Sequence, residues 1–337
     1  MYNIFSLKKE NIFLLSLIIF SSLIVTFRDP AAHSDSARYV ELFYEIQNSG
    51  RIFNLEPIFY LLNLFALSFN SHEVLFFSSM FLKSILYIFV IRELEHMKNS
   101  KEIALMASLL LIFQFIDNWH YVLTVDAMKQ GISIPFILLA AAKIHNKKII
   151  SSLIFMFLAY QAHYSSLLLL PFLFLLRANF ATLITIYIIS TLMYATQFNF
   201  LISQYFSELT QIAVFEAIEN YARGEEIYFG FQLRFFLYSI FIVVAALVAY
   251  SLRLPSNSIS EFAMKCSLIF ASYFYIFAFA SFTNRYAFYL WSLLPLIAIA
   301  VVFRSRITFT YSQMAIIYFF GTNISLTYLV YRMYFEN

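Results

Sequence analysis

The sequence predicts an all-α protein, a polytopic bundle of transmembrane helices, on three observations. Apolar runs recur from one end of the 337 residues to the other, broken only by short polar patches. Only 12% of the residues are charged, against roughly a quarter in an ordinary soluble domain, and 62% are hydrophobic. The Lys and Arg, though dispersed, fall more often on one side than the other when successive spans alternate, as the positive-inside rule expects of a multi-span chain. A soluble enzyme, a disulfide scaffold and a disordered chain are excluded on composition. The net charge of +3 comes from dispersed basic residues with no basic block, so nucleic acid is not an expected partner. Cys266 is the only cysteine, so the chain has no thiolate pair for a disulfide and no thiolate cluster for a metal. Residues 1–337 read as a single membrane domain without repeats or a hydrophilic linker.

The first apolar run, Ile12 to Phe27, follows Lys8-Lys9 and lacks a convincing small-residue cleavage site. It reads as a retained first helix that starts in the cytoplasm and leaves Arg28 to Glu56 outside. In that external segment Ser34-Asp35-Ser36 predicts an N-cap, ahead of a surface helix with Tyr39, Leu42, Phe43 and Ile46 on one side. Pro57 to Phe69 covers about 20 Å at 1.5 Å per residue, short of a hydrocarbon core near 30 Å, and reads as an interfacial or re-entrant helix. His72 to Arg92 is then a full span, which puts Arg92, Lys98 and Lys101 in the cytoplasm. Further spans are expected near residues 102–117, 127–145, 149–162, 164–177, 179–196, 231–253, 261–281, 286–303 and 310–330, about eleven crossings in all. Alternation keeps Lys147-Lys148, Arg177, Arg253 and Arg304-Ser305-Arg306 inside. A second external segment, Gln197 to Gly230, repeats Ile202, Tyr205, Phe206, Leu209, Ile212 and Ala213 at helical spacing. It predicts an amphipathic helix on the membrane surface that ends at Tyr221-Ala222-Arg223-Gly224.

A charge in hydrocarbon costs at least a few kcal/mol, so each one in or beside a span needs a partner, a cavity or a function. Six clusters qualify: Asp35; Glu56; Asp126 with Lys129 and Gln130, spaced to share one face of a helix start; His163; Asn284-Arg285-Tyr286; and Lys83 near the middle of its span. All but Lys83 fall on the outer face of the expected topology, which points to a polar cavity open to that side, with His120 a further candidate there. Bland alternatives stand beside these readings. Asp35 and Glu56 can cap helices, Lys129 and Lys83 can snorkel, and Arg285 can bind lipid phosphates. His120 can be an interfacial residue beside Trp119, and His163 a satisfied residue at a span end. The sequence has no P-loop, GxGxxG, HExxH or GxSxG. Asp35 and Glu56 are too few clustered carboxylates to argue for a metal, and no cofactor is expected.

The order Asp35-x-x-x-Tyr39, Glu56-Pro57-x-Phe59, Lys129-Gln130, His163-Tyr164-Ser165-Ser166 ahead of a run with Pro171, and Arg285-Tyr286 resembles the EpsG-like branch of the Wzy polysaccharide polymerases. The similarity covers roughly residues 20 to 300. One position departs from it: the family usually has Arg before the Gln, and Lys129 offers a point charge in place of a bidentate fork. The resemblance implies a multi-pass glycosyltransferase of the bacterial inner membrane, of GT-C-like architecture. It would build O-antigen, capsule or exopolysaccharide from polyprenyl-diphosphate-linked oligosaccharide repeat units on the periplasmic face, amid membrane lipids and alongside a chain-length regulator protein. On that reading His163 is the general base, with Asp35 the second choice. Arg285, Lys129 and Arg223 meet the pyrophosphate, and Gln130, Glu56, Tyr221, Tyr39, Asp126 and His120 contact substrate or orient its neighbours. A flippase for lipid-linked oligosaccharides and a membrane acyltransferase remain as rivals. The first commonly shows two similar halves, which this chain lacks, and the second would rest on His163 alone.

Overall fold

A computed structural model describes residues 9–30, 34–50, 55–94, 100–210, 230–252, 258–279, 283–304 and 313. Among these the chain is all-helical, with no strand. Among the described residues three helical stretches are long and apolar enough to cross a membrane, His72–Leu94, Leu233–Ser251 and Thr283–Val302, or four if one bent pair counts as a single span. Apart from Gln313, the expected span at 310–330 lies outside the described residues. Contacts divide the chain into two units that part between Leu168 and Leu169.

The first unit contains α1 (Lys9–Thr26), α2 (Ser34–Ser49), α3 (Pro57–Leu67), α4 (His72–Leu94), α5 (Ser100–Ile116), α6 (Asn118–Val125), α7 (Met128–His145), α8 (Ile149–Ala162) and a 3₁₀ turn, Tyr164–Leu168. Helices α4 and α7 are its centre: α4 packs against α1, α3, α5 and α7, and α7 is buried along almost its whole length. The surface helix read from Asp35 onward is α2, with Tyr39, Phe43 and Ile46 buried as its periodicity requires. Helix α3 is as short as its sequence suggests. It buries Phe59, Asn63 and Ala66 while Leu61, Leu64 and Phe65 stay exposed, the outward apolar face that a lipid boundary suits. Asn70 and Lys147, at the turns after α3 and α7, take left-handed backbone angles that end one helix and start the next.

Between residues 117 and 128 the structure departs from expectation. A separate helix, α6, occupies what reads as an external loop, capped at its start by the Asp117 side chain, which accepts the His120 backbone N–H at 2.9 Å. It meets α7 at a bend of 114°. Asp126 is therefore the C-cap of α6, and Lys129 and Gln130 belong to the first turn of α7, so the three do not share one helix face. Regular i, i+3, i+4 spacing holds only when one helix runs through all the positions, and here it does not.

Three devices hold the break. Gly131 has its missing side chain replaced by α6: a Cβ there would lie 1.9 Å from the Leu123 carbonyl oxygen. Arg28, just past α1, donates from Nη2 to the Val125 carbonyl at 3.1 Å and to Ser36 Oγ at 3.0 Å, and from Nη1 to the Val25 carbonyl at 2.9 Å. Its guanidinium also lies 3.8 Å from the centroid of Phe76. Ser36 Oγ donates to the same Val125 carbonyl at 2.6 Å. Lys83, fully enclosed within α4, donates to Thr124 Oγ1 at 2.6 Å and so ties the middle of α4 to the last turn of α6. After the break α7 and α8 form a tight antiparallel pair. Ser133 donates to the Ala159 carbonyl and Ser152 to the Ala140 carbonyl, both at 3.0 Å, with the small Ala140 and Ala159 buried at the contact. At the far end of α4, Glu93 accepts from Lys143, from Lys148 at 2.9 Å and from Asn146 at 2.9 Å, which locks the α7–α8 turn to that helix.

The second unit holds a 3₁₀ helix, Leu170–Arg177, then α9 (Phe180–Ala195), α10 (Phe198–Thr210), α11 (Leu233–Ser251), α12 (Ser258–Phe277), α13 (Thr283–Trp291) and α14 (Leu294–Arg304). Residues 164–177, expected as one α-helical span, are thus two 3₁₀ segments, with Pro171 in the opening turn of the second, where its missing N–H costs nothing. Helix α12 is the hub, packed against α9, α11, α13 and α14. Leu237, Phe241, Val244 and Val248 leave one side of α11 exposed, and Ile184, Ile188 and Leu192 do so on α9, apolar stripes at helical spacing that fit a lipid contact. The surface helix expected after Gln197 is α10 as far as Thr210; residues 211–229, with Tyr221 and Arg223, lie outside the described residues.

Gly131→Ala tests the bend. The added methyl meets backbone rather than a movable side chain, and overpacking typically costs about 1–3 kcal/mol or more. We expect a lower thermal midpoint and reduced yield of monodisperse protein in detergent, whereas Ala at the exposed Leu153 of α8 should leave both near the wild type.

Candidate functional site

Three of the sequence motifs meet on one carboxylate. Pro57 restricts the residue before it to extended backbone, and Glu56 accordingly has ψ 131° and makes no side-chain cap to α3. Its carboxylate turns away from the helix it precedes. Oε2 accepts from Lys129 Nζ at 2.8 Å, and Oε1 lies 3.2 Å from His163 Nδ1. The three side chains come from different elements: the entry to α3, the first turn of α7 after the bend, and the C-cap of α8. His163 stops α8 in an extended conformation, φ −160° and ψ 115°, and the Tyr164 hydroxyl reaches the Leu55 carbonyl at 3.4 Å beside Glu56. The side chain of Glu56 is 9% exposed and those of Lys129 and His163 are 20% and 16%, so the carboxylate is the most enclosed member of the trio. Burial pushes the Glu56 carboxyl up, but hydrogen bonds from His163 and Lys129 and the ammonium charge outweigh that and bring it down to about 2.

Around this centre, Lys129 Nζ stands 5.2 Å from the ring centroid of Phe59, and Tyr39 packs on the same ring at 5.0 Å. Tyr39 and Phe59 belong to a buried cluster with Phe43, Ala66, Leu75, Phe76 and Met128 that fixes the entry to α3 against α2, α4 and α7. Gln130 is buried on α7. Asp126 lies close enough to Arg28 for its charge to act on the guanidinium, which burial nevertheless draws down to about 10. Asp35 occupies the first turn of α2 rather than a cap position. His120 is enclosed, 1% exposed.

Arg285 belongs to the second unit, in the first turn of α13. Its neighbour Tyr286 stacks on Phe277 with centroids 6.1 Å apart and planes at 18°, and packs against Tyr273 at 5.9 Å. Among the described residues no group of three or more His, Cys, Asp or Glu is arranged to hold a metal ion.

Sequence reasoning missed Arg28 as anything more than an external cation. The usable signal was its position, a lone Arg directly after an apolar span and a few residues ahead of Ser36. It missed the Glu56–Lys129 pairing because the two lie 73 residues apart.

An all-helical chain with exposed apolar faces and a buried carboxylate bridging an ammonium and an imidazole is a membrane protein built around a polar site. The family model of the EpsG family matches residues 11–337, and the chain belongs to that family, the Wzy-like polysaccharide polymerases. Such a polymerase works on lipid-linked oligosaccharides among membrane lipids. Neither a curated protein nor a solved structure matches the chain.

Because Glu56 titrates lower in the folded chain than in the unfolded one, its ionisation stabilises the fold above the ordinary carboxyl range and that contribution fades as pH falls toward about 2. The thermal midpoint of detergent-solubilised protein should therefore drop between about pH 4.5 and pH 2 more steeply for wild type than for Glu56→Gln, which has no such proton to bind. Parallel curves would mean that the carboxyl is not held in its ionised form.

Proposed function

We propose that this chain polymerises polyprenyl-diphosphate-linked oligosaccharide repeat units, on the periplasmic face of a bacterial inner membrane, as a single membrane domain of GT-C-like architecture with about eleven crossings. The observation that carries the reading is the meeting of Glu56, Lys129 and His163, from three separated sequence motifs, with the carboxylate enclosed between an ammonium and an imidazole. The growing glycan leaves its lipid pyrophosphate as a hydroxyl oxygen at the non-reducing end of the new unit bonds to the anomeric carbon. The C1–O bond to pyrophosphate breaks with its electron pair, and the hydroxyl proton passes to His163. Arg285 is the cation assigned to the leaving pyrophosphate, because Lys129 is already neutralised by Glu56. Arg223 and Tyr221 join the substrate contacts, with Gln130, Asp126, Tyr39 and Asp35 as lining. A chain-length regulator is the expected protein partner.

Purified protein with lipid-linked repeat units should give a ladder of products without ATP or an acyl donor. That result separates a polymerase from a flippase and from an acyltransferase, and no ladder from active-tested substrate rejects the reading. Arg285→Ala should lower the rate about a hundredfold, the effect of losing a donor worth on the order of 3 kcal/mol to the transition state. At matched membrane abundance His163→Ala and His163→Gln should both fail to extend. A largely active His163→Gln would transfer the base role to Asp35.

Orientation is tested separately. In a Cys266→Ser background, Asn99→Cys should be shielded from an impermeant thiol reagent added outside, and a cysteine in 197–230 should be labelled. The reverse pattern overturns the periplasmic placement.

A further inference from the structure

We infer that Glu56 and Lys129 are positioning residues: together they hold His163 as the tautomer with its proton on Nδ1, leaving the Nε2 lone pair as the base, and neither serves as a saccharide or pyrophosphate ligand. The inference rests on the polymerase reading for its chemistry and on the geometry for the assignment of roles.

A carboxylate only accepts hydrogen bonds, so the 3.2 Å contact between Glu56 Oε1 and His163 Nδ1 is satisfied when Nδ1 carries the proton. In a neutral imidazole the other nitrogen, Nε2, then has its lone pair free to accept. The opposite tautomer would set two acceptors against each other across a site whose carboxylate is almost fully enclosed, which the low local dielectric makes costly. Glu56 itself is fixed on its other oxygen by the Lys129 ammonium at 2.8 Å. Each oxygen therefore has one dedicated partner, and the carboxylate cannot rotate to a sugar hydroxyl without giving up one of them.

Charge gives the same assignment. With a neutral ring the trio sums to zero, one carboxylate and one ammonium, so an enclosed site tolerates it. When Nε2 takes the acceptor proton the trio becomes +1, as negative charge develops on the departing pyrophosphate. The imidazolium is then stabilised through Nδ1–H by a carboxylate that Lys129 keeps ionised and in place. Lys129 acts here by its fixed charge on Glu56, which explains why a point charge serves at a position where the family usually carries a guanidinium fork.

The test reads the tautomer directly. Protein with ¹⁵N-labelled histidine in lipid nanodiscs, at a pH where imidazole is neutral, is compared with His163→Gln to assign the His163 signals among the six histidines. Wild type is expected to show a protonated, pyrrole-type Nδ1 and a pyridine-type Nε2; the reverse pattern in wild type overturns the inference. Glu56→Gln should shift the ring toward the Nε2–H form or a mixture and lower kcat on the order of a hundredfold, with KM little changed. An unchanged tautomer in folded Glu56→Gln also overturns it. Lys129→Arg, which keeps the charge, should retain both the tautomer and most of the activity, and Lys129→Gln should lose both. A loss confined to KM in Lys129→Gln would mark it as a substrate ligand and reject the assignment. Failure of ladder formation in wild type with the expected tautomer intact would reject the polymerase reading alone.

Discussion

The 114° bend between α6 and α7 is the constraint on which the first unit depends. Without it α7 would begin a straight span, and Lys129 would point wherever the helix phase sent it. With it, the opening turn of α7 is delivered beside the entry to α3, where Glu56 waits. Much of the polar chemistry nearby serves the bend rather than a substrate. Arg28 and Ser36 occupy the last carbonyl of α6, Lys83 grips Thr124 one residue earlier, and Gly131 gives up its side chain to Leu123. In a medium that supplies no water to freed backbone groups, a broken helix survives only where the protein satisfies those groups itself.

Sequence carried the helices well and the contacts between them poorly, for a physical reason. Helices α1, α4 and α8 follow from apolar runs and charged ends, and the short α3 from simple arithmetic on its length, because these features are local. The bend is not local. Residues 118–126 are polar enough to read as a loop, and nothing in them announces a helix whose cap comes from Arg28 on another element. The same limit explains Asp126, Lys129 and Gln130, whose spacing suggested one face when two helices share them. The 3₁₀ winding of Tyr164–Leu168 and Leu170–Arg177 is likewise invisible to hydropathy, which reports what is apolar and not how tightly it is wound.

The candidate site was legible as a set of residues and not as a geometry. Glu56, Lys129 and His163 stood out because ionisable groups beside apolar runs demand a reason. What could not be read is that Lys129 and His163 meet the two oxygens of one carboxylate, because the three residues lie on separate elements far apart in sequence. Glu56 is the instructive case. As a residue before Pro57 it could have been a helix cap, and its lack of any capping bond leaves its carboxylate to Lys129 and His163.

The distance in sequence between these partners has a consequence for how the protein is made. Glu56 is synthesised 73 residues before Lys129 and 107 before His163. At roughly 5–20 residues per second, the carboxylate spends several seconds without either partner. An ionised group is costly to bring into hydrocarbon alone, and until α7 is made Glu56 lacks the ammonium that it meets in the folded unit. The brevity of α3 suits that delay, since a helix too short to span commits to no crossing while it waits. In the finished unit the ammonium of α7 and the imidazole at the end of α8 are the two partners that the carboxylate lacked.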